Sequence, residues 1–191
     1  ALFSHSGKKK KINFDVSNYP KFKNRIKHLI TEDEPNNLIE INDQNKNNNL
    51  LFRLNASKRI EHQRNKILSN FDEKNLEDWI IYSDSDEIPD LENFDLKKNT
   101  NKIVLFNQFV FHYKFNLLLS GHEWFGSKAC KFKNLNTISD LRNIKTKKYP
   151  FWRLDTLIKK DKFINLKIVK KGGWHFTELK NPEEIYNKHQ N

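Results

Sequence analysis

The chain has no methionine and a single cysteine, Cys130, among 191 residues. One thiol excludes an internal disulfide framework and fits a reducing compartment. The missing methionine, initiator included, suggests a processed chain or an excised fragment. Glycine and proline number five each, and no stretch rich in them divides the sequence. One domain over 1–191 is therefore expected, large enough to bury a real core. No apolar run approaches membrane-spanning length and no signal peptide is recognisable, so the expected location is cytoplasmic. Apolar residues are scarce at 36 %, yet fifteen phenylalanines point to a core rich in Phe and Ile. Charge is not scarce. The formal net charge is +11, which attracts nucleic acid, anionic lipid or sugar phosphates, although Lys, Asn and Ile abundance partly reflects nucleotide bias.

Against that positive field, Asp72 to Asp95 holds ten acids and one base, Lys74. At its centre, Trp79-Ile80-Ile81-Tyr82 has the composition of a short buried strand and runs directly into Ser83-Asp84-Ser85-Asp86-Glu87-Ile88-Pro89. In α/β sheets, ligands bind at the carboxyl ends of strands. Two carboxylates at i and i+2 on chain leaving a strand can turn toward one hard cation, Mg²⁺ or Mn²⁺, of the kind shared with substrate phosphates. The plainer reading is an acidic loop in water.

Other groups extend the pattern. Ala1 to Phe3 reads as the end of a strand, and His5-Ser6-Gly7 before Lys8 to Lys11 suits a phosphate loop or a basic turn. Pro20 opens a helical pattern with Phe22, Ile26, Leu29 and Ile30 on one face, and Leu38 to Ile41 reads as a strand. Asn42 to Asn49 reads as a polar loop. A helix is expected from Ser57, burying Ile60, Ile67, Leu68 and Phe71. Arg64 falls on that face with Glu61 at i−3, as a structural pair or as site residues. Asn55-Ala56-Ser57 is a formal sequon, taken as chance. Lys102 to Phe115 predicts a half-buried strand with Phe109, Phe111, Tyr113 and Phe115 on one face, alternating with Val110, His112 and Lys114. Glu123-Trp124 lies in a loop suited to sugars, Trp124 serving as a platform or a core plug. Lys147 to Arg153 mixes cations with aromatics. Ile164, Leu166 and Ile168 alternate as a strand, then Gly172-Gly173-Trp174-His175-Phe176 permits close backbone approach, and a helix begins near Pro182. His175 reads as a metal ligand or as a core histidine.

The order of these motifs resembles glycosyltransferase family 17, the β-1,4-mannosyl-glycoprotein N-acetylglucosaminyltransferases and their microbial relatives. Ser83 to Pro89 is similar to that family's Ser-Asp-x-Asp-Glu-Ile-Pro, Glu61 to Asn65 to its Glu-x-x-Arg-Asn, and Gly173 to His175 to its Gly-Trp-His. His5 to Lys8, Trp124 to Gly126 and Asn181 to Tyr186 fall in matching order. The resemblance implies an α/β, GT-A-like (Rossmann-like) fold, with a mixed central sheet flanked by helices. It implies a nucleotide-sugar donor, a UDP-sugar with N-acetylglucosamine favoured, a divalent Mn²⁺ or Mg²⁺, and an inverting transfer to a glycan or other hydroxyl acceptor.

The expected ligands are then Asp86 and His175, with Asp84 on the ribose or a metal-bound water. Glu87 would fix the metal loop or hydrogen-bond the donor sugar. His5, Ser6, Gly7, Glu61, Arg64, Arg153, Gly173 and Trp174 would surround the donor, and Glu123 or Asp155 would be the base. Two other functions fit the residues. A haloacid-dehalogenase-type phosphatase would use Asp84 as nucleophile and Asp86 as acid. A non-enzymatic basic module would bind nucleic acid or anionic glycan. The transferase reading expects no nucleic-acid partner and leaves peripheral membrane contact open.

Overall fold

The computed structural model describes residues 14–41, 48–71, 75–147, 149–150, 152, 159, 161–163 and 165–190. Cα packing divides the chain into two units, Ala1–Asp72 and Glu73–Asn191.

The first unit is built on one helix, α1 (Asn48–Asn65). It begins well before Ser57, which lies inside it, and Asn48 and Asn49 are its first residues rather than loop. The face expected after Pro20 does not form an α-helix. Pro20–Arg25 is a 3₁₀ helix and Ile26 is extended. Short helices persist by packing an apolar face, and here Phe22 and Ile30 both stay exposed. Nor is Leu38 to Ile41 a strand. Its backbone polar groups are met instead by a side chain: Ile39 N–H donates to Asn55 Oδ1 (2.8 Å), and Asn55 Nδ2 donates back to the Ile39 carbonyl (2.7 Å). Asn55 is buried in that role, so the sequon offers no accessible acceptor. Ion pairs from Arg59 to Glu34 and from Lys66 to Asp33 hold the same segment along α1.

The second unit is mixed α/β. Its strands are β1 (Trp79–Tyr82), β2 (Glu87–Pro89), β3 (Ile103–His112), β4 (Trp124–Lys131), β5 (Leu166–Val169) and β6 (Gly173–Thr177). They form one mixed sheet in the order β1-β4-β3-β6-β2, with β5 also paired to β3. The long β3 is the spine. Antiparallel β4 takes one of its edges, and β5 and β6 share the other, both parallel to it. Leu166 pairs with Ile103 and Trp174 with Phe109, offsets of 63 and 65, so two extra residues are accommodated between β5 and β6. Gly172 sits in that insertion, where Gly172 N–H donates to the Asn107 carbonyl (2.7 Å) and a Cβ would crowd the Val169 carbonyl. Among the described residues the unit also has two α-helices, α2 (Ile138–Asn143) and α3 (Pro182–Gln190).

One sheet face carries Val104, Phe106 and Ala129, fully buried and covered by Trp79, Ile81, Phe94, Leu96 and Val169. The expected phase of β3 is reversed at its far end. Val110 is 2 % exposed and Phe109 38 %, while Tyr113 and Phe115 lie beyond the strand. The parallel pairing with β6 sets the buried His175 beside Val110 on that face. Of the last expected strand, Ile164 lies outside the described residues.

Phe106 is wholly buried and meets Phe94 edge-on at 5.9 Å between ring centres. Phe106→Ala is expected to cost roughly 3–5 kcal/mol by loss of transfer energy and an unfilled cavity, measured by urea denaturation followed by tryptophan fluorescence.

Candidate metal centre

The polar end of the same face follows from strand alternation. Val104, Phe106, Gln108 and Val110 share one side of β3. Gln108 is opposite Trp124 on β4, Val110 is opposite His175 on β6, and His175 is in turn opposite Glu87 on β2. Trp124, His175 and Glu87 are thus collected by register from three segments far apart in sequence.

Glu87 is the most enclosed acid, with only 1 % of its side chain exposed. A buried carboxylate requires donors, and it has three. Its Oε1 accepts from Trp124 Nε1 (2.9 Å) and Arg142 Nη2 (3.2 Å), and its Oε2 accepts from the Asp84 backbone N–H (3.0 Å). The third bond closes the Asp84–Glu87 turn on itself, alongside Glu87 N–H to the Asp84 carbonyl (3.1 Å). Glu87 therefore fixes the conformation of the acidic loop.

Arg142 reaches the site from α2. Thr137 caps that helix, accepting from Asp140 N–H, and Ile138 and Leu141 bury its inner side. The guanidinium donates to Asp84 Oδ2 (3.0 Å), to Glu87, and to the Gly126 carbonyl (2.8 Å). Asp84 also accepts from Tyr82 Oη–H. Behind these groups, Gln108 Nε2 donates to Ser127 Oγ (3.0 Å), which lies 2.6 Å from Ser83 Oγ. Lys128, buried beneath α2, donates to the Arg142 and Ile144 carbonyls (2.6 and 2.8 Å). It satisfies carbonyls that the helix end leaves open. Burial, and secondarily the charge of Arg142, push its pKa down to about 8, partly opposed by Glu87.

Asp86 and His175 face each other. Asp86 is half exposed, and its Oδ2 lies 3.4 Å from the buried His175 Nε2. The Asp86 carbonyl accepts from Phe176 N–H (2.8 Å), which ties the loop to β6. His175 stacks flat on Trp124, ring centres 4.4 Å apart at 8°. Its Nδ1 is buried without a hydrogen-bond partner.

Ligand atoms of Asp86, Glu87 and His175 all lie within 4.8 Å of one another. Around a cation with bonds near 2.1 Å, adjacent octahedral ligands are about 3.0 Å apart and opposite ones about 4.2 Å. At separations of up to 4.8 Å, the three would have to draw together by more than about half an ångström to share one ion. Two carboxylates with one imidazole suit Mn²⁺ or Mg²⁺ at the oxygens, and the nitrogen favours a later transition ion. Among the three, Asp86 and His175 have the most coordinating capacity left, because Glu87 is held by three donors.

The structure thus brings together Asp84, Asp86, Glu87 and His175. Asp84 stands beside Arg142 and Tyr82, outside the Asp86–Glu87–His175 group. Trp174 is adjacent to His175 on a strand and points to the opposite sheet face. Gly173 adopts φ +134 against β2, where a Cβ would meet the Ile88 carbonyl. Glu123 accepts from Asn107 Nδ2 (2.9 Å), one residue before Trp124. Glu61 and Arg64 belong to α1 in the first unit. His5, Ser6, Gly7, Arg153 and Asp155 lie outside the described residues. Arg142 was not anticipated, since its only sequence signal is the Thr137-x-x-Asp140 cap ahead of a six-residue helix. Comparison with protein-family models, curated proteins and solved structures finds no match to this chain.

Gly126 lies where a Cβ would collide with Gln108 Oε1 and the Glu87 carboxylate. Gly126→Ala is expected to destabilise the fold by about 1–3 kcal/mol through overpacking, read as a lower urea midpoint. Lys128 gives a pH signature. Its folded pKa near 8 lies below the unfolded value, so between the two the unfolded chain binds more protons. The Lys128 contribution to stability therefore rises with pH above about 8, up to roughly 10.4. The stability of wild type relative to Lys128→Met should increase across that window in paired urea titrations.

Proposed function

We propose that this chain is a metal-dependent, inverting glycosyltransferase that moves a sugar from a UDP-sugar to a hydroxyl acceptor, its sheet forming part of a GT-A-like fold. The observation that carries this reading is the meeting of Asp86 with His175. The two motifs of the family resemblance, Ser83 to Pro89 and Gly173 to His175, lie on paired strands, which bring the buried His175 Nε2 to 3.4 Å from Asp86 Oδ2.

In this reading Asp86 and His175 hold the divalent cation, and Glu87 keeps the Asp86 loop in shape. A cation held there would supply positive charge toward a departing nucleoside diphosphate. Arg142 offsets one of the two negative charges of Asp84 and Glu87, so an anionic donor approaching Asp86 meets less repulsion. His175 is braced flat on Trp124, which restricts the ring to one orientation. Inversion requires a carboxylate to take the acceptor's hydroxyl proton as the new bond forms on the opposite face. Glu123 is the candidate, held by Asn107 through one oxygen while the other remains available.

A thermal-shift series tests this. With Mn²⁺ present and a UDP-sugar at 100 times its dissociation constant, native-state binding adds about 2.7 kcal/mol. For a chain of this size that corresponds to roughly 2–4 °C per kcal/mol. Asp86→Ala and His175→Ala are expected to abolish the Mn²⁺-dependent increment, while Asp86→Ala leaves the unliganded melting temperature nearly unchanged because Asp86 is half exposed. A wild type that shifts with no UDP-sugar, or an Asp86→Ala variant that shifts as the wild type does, would overturn the assignment.

A further inference from the structure

We infer that the segment from Tyr113 to Leu119 is a membrane-contacting tip that inserts into the surface of an anionic bilayer. The inference is independent of the catalytic reading above. Seven residues hold five large apolar or aromatic side chains, and all five are exposed: Tyr113, Phe115, Leu117, Leu118 and Leu119, at 43–72 %. Single exposed apolar residues are ordinary, but a contiguous group marks an interaction surface.

The tip is built rather than loose. His112 N–H donates to the Leu117 carbonyl (3.0 Å), Leu119 N–H to the Val110 carbonyl (2.8 Å), and Leu117 N–H to the Lys114 carbonyl (3.1 Å). Phe111 and Leu118 form an isolated antiparallel bridge. Tyr113 is held at φ +63, a conformation bulky residues rarely adopt, which turns the chain sharply out of β3. The Phe115 ring packs edge-on to Phe176 at 5.2 Å, and Phe176 stacks on Phe111 at 5.4 Å. The N–H groups of Tyr113, Lys114, Leu117 and Leu119 are all engaged, which lowers the cost of bringing the tip into a lipid interface.

The charges around it favour lipid over another protein. Lys114 lies within the tip, and Lys180 lines the same hollow as Tyr113, Phe115 and Leu179. The acid of that hollow, Glu184, is engaged in a reciprocal cap with Asn181, each accepting from the other's backbone N–H (3.1 and 2.8 Å). Lysine stems can lie along the apolar surface with their ammonium groups at the headgroups, and tyrosine suits the same boundary. The chain's net charge of +11 adds long-range attraction to an anionic leaflet. No described helix is long and apolar enough to cross a membrane, so this contact would be peripheral.

Sedimentation of the full chain with vesicles tests the inference, using phosphatidylcholine alone and phosphatidylcholine with about 30 mol % phosphatidylglycerol. The wild type should pellet with the anionic vesicles and much less with the neutral ones. Phe115→Ser/Leu117→Ser should weaken that binding by roughly ten-fold or more while a cooperative melting transition shows that the chain remains folded. Leu117→Ser alone, which leaves the Phe115–Phe176 contact intact, should weaken it less. Unaltered binding by both variants would mean attraction by charge alone and would overturn the proposal. So would a wild type that pellets with neither vesicle, including the case in which size-exclusion shows a dimer that the double variant dissociates.

Discussion

A carboxylate shut away from water sets the terms for the second unit. Glu87 cannot be buried charged unless several donors converge on it, because an unpaired ion in that position costs several kcal/mol. Those donors come from three places: the indole of β4, the guanidinium of α2, and the backbone of the loop that Glu87 itself terminates. Each requirement propagates. The indole must lie on the inner face, which fixes the register of β4 against β3. The guanidinium must reach across, which fixes where α2 docks. The strand carrying the indole must also pass close enough that residue 126 can be nothing larger than glycine.

The charges then divide into two groups. Arg142 serves Asp84 and Glu87 together, and Lys128 holds the carbonyl of Arg142 itself. One buried lysine thus positions the arginine through the helix backbone rather than by direct contact with the acids. Asp86 is left outside this arrangement, half exposed and facing an imidazole. The same loop thus carries a structural carboxylate at Glu87 and an open one at Asp86.

How much of this was legible in the sequence depends on the kind of information each feature needs. Trp79 to Tyr82 and the acids after it were readable because a composition boundary, apolar to acidic, coincides with the end of a strand; that Glu87–Pro89 forms a further strand was not, because only its pairing with β6 makes it one. Leu166 to Val169 and Pro182 to Gln190 were readable from local pattern and from the proline start. The reversal at Phe109 and Val110 was not, because alternation states that two faces differ and only the pairing with β6 states which one is covered. Leu38 to Ile41 reads as a strand by composition, but the Asn55 side chain took the place of a strand partner. The helix expected after Pro20 had the right period, but Phe22 and Ile30 of its apolar face stay exposed.

For the site itself, local reading reached the ligating candidates and missed what holds them. Asp84, Asp86, Glu87 and His175 belong to motifs with recognisable neighbours. Arg142, Gln108, Ser127 and Lys128 do not, since each is an ordinary residue until β3 and β4 are aligned. Trp124 shows the distinction most directly. As a residue type it suits a sugar platform and a core plug equally. With its ring flat against His175 and its N–H on Glu87, it braces both the imidazole and the buried acid. A change at Trp124 would therefore disturb the geometry of Asp86 and His175 without touching either, and its effect would pass through orientation rather than through lost contact area.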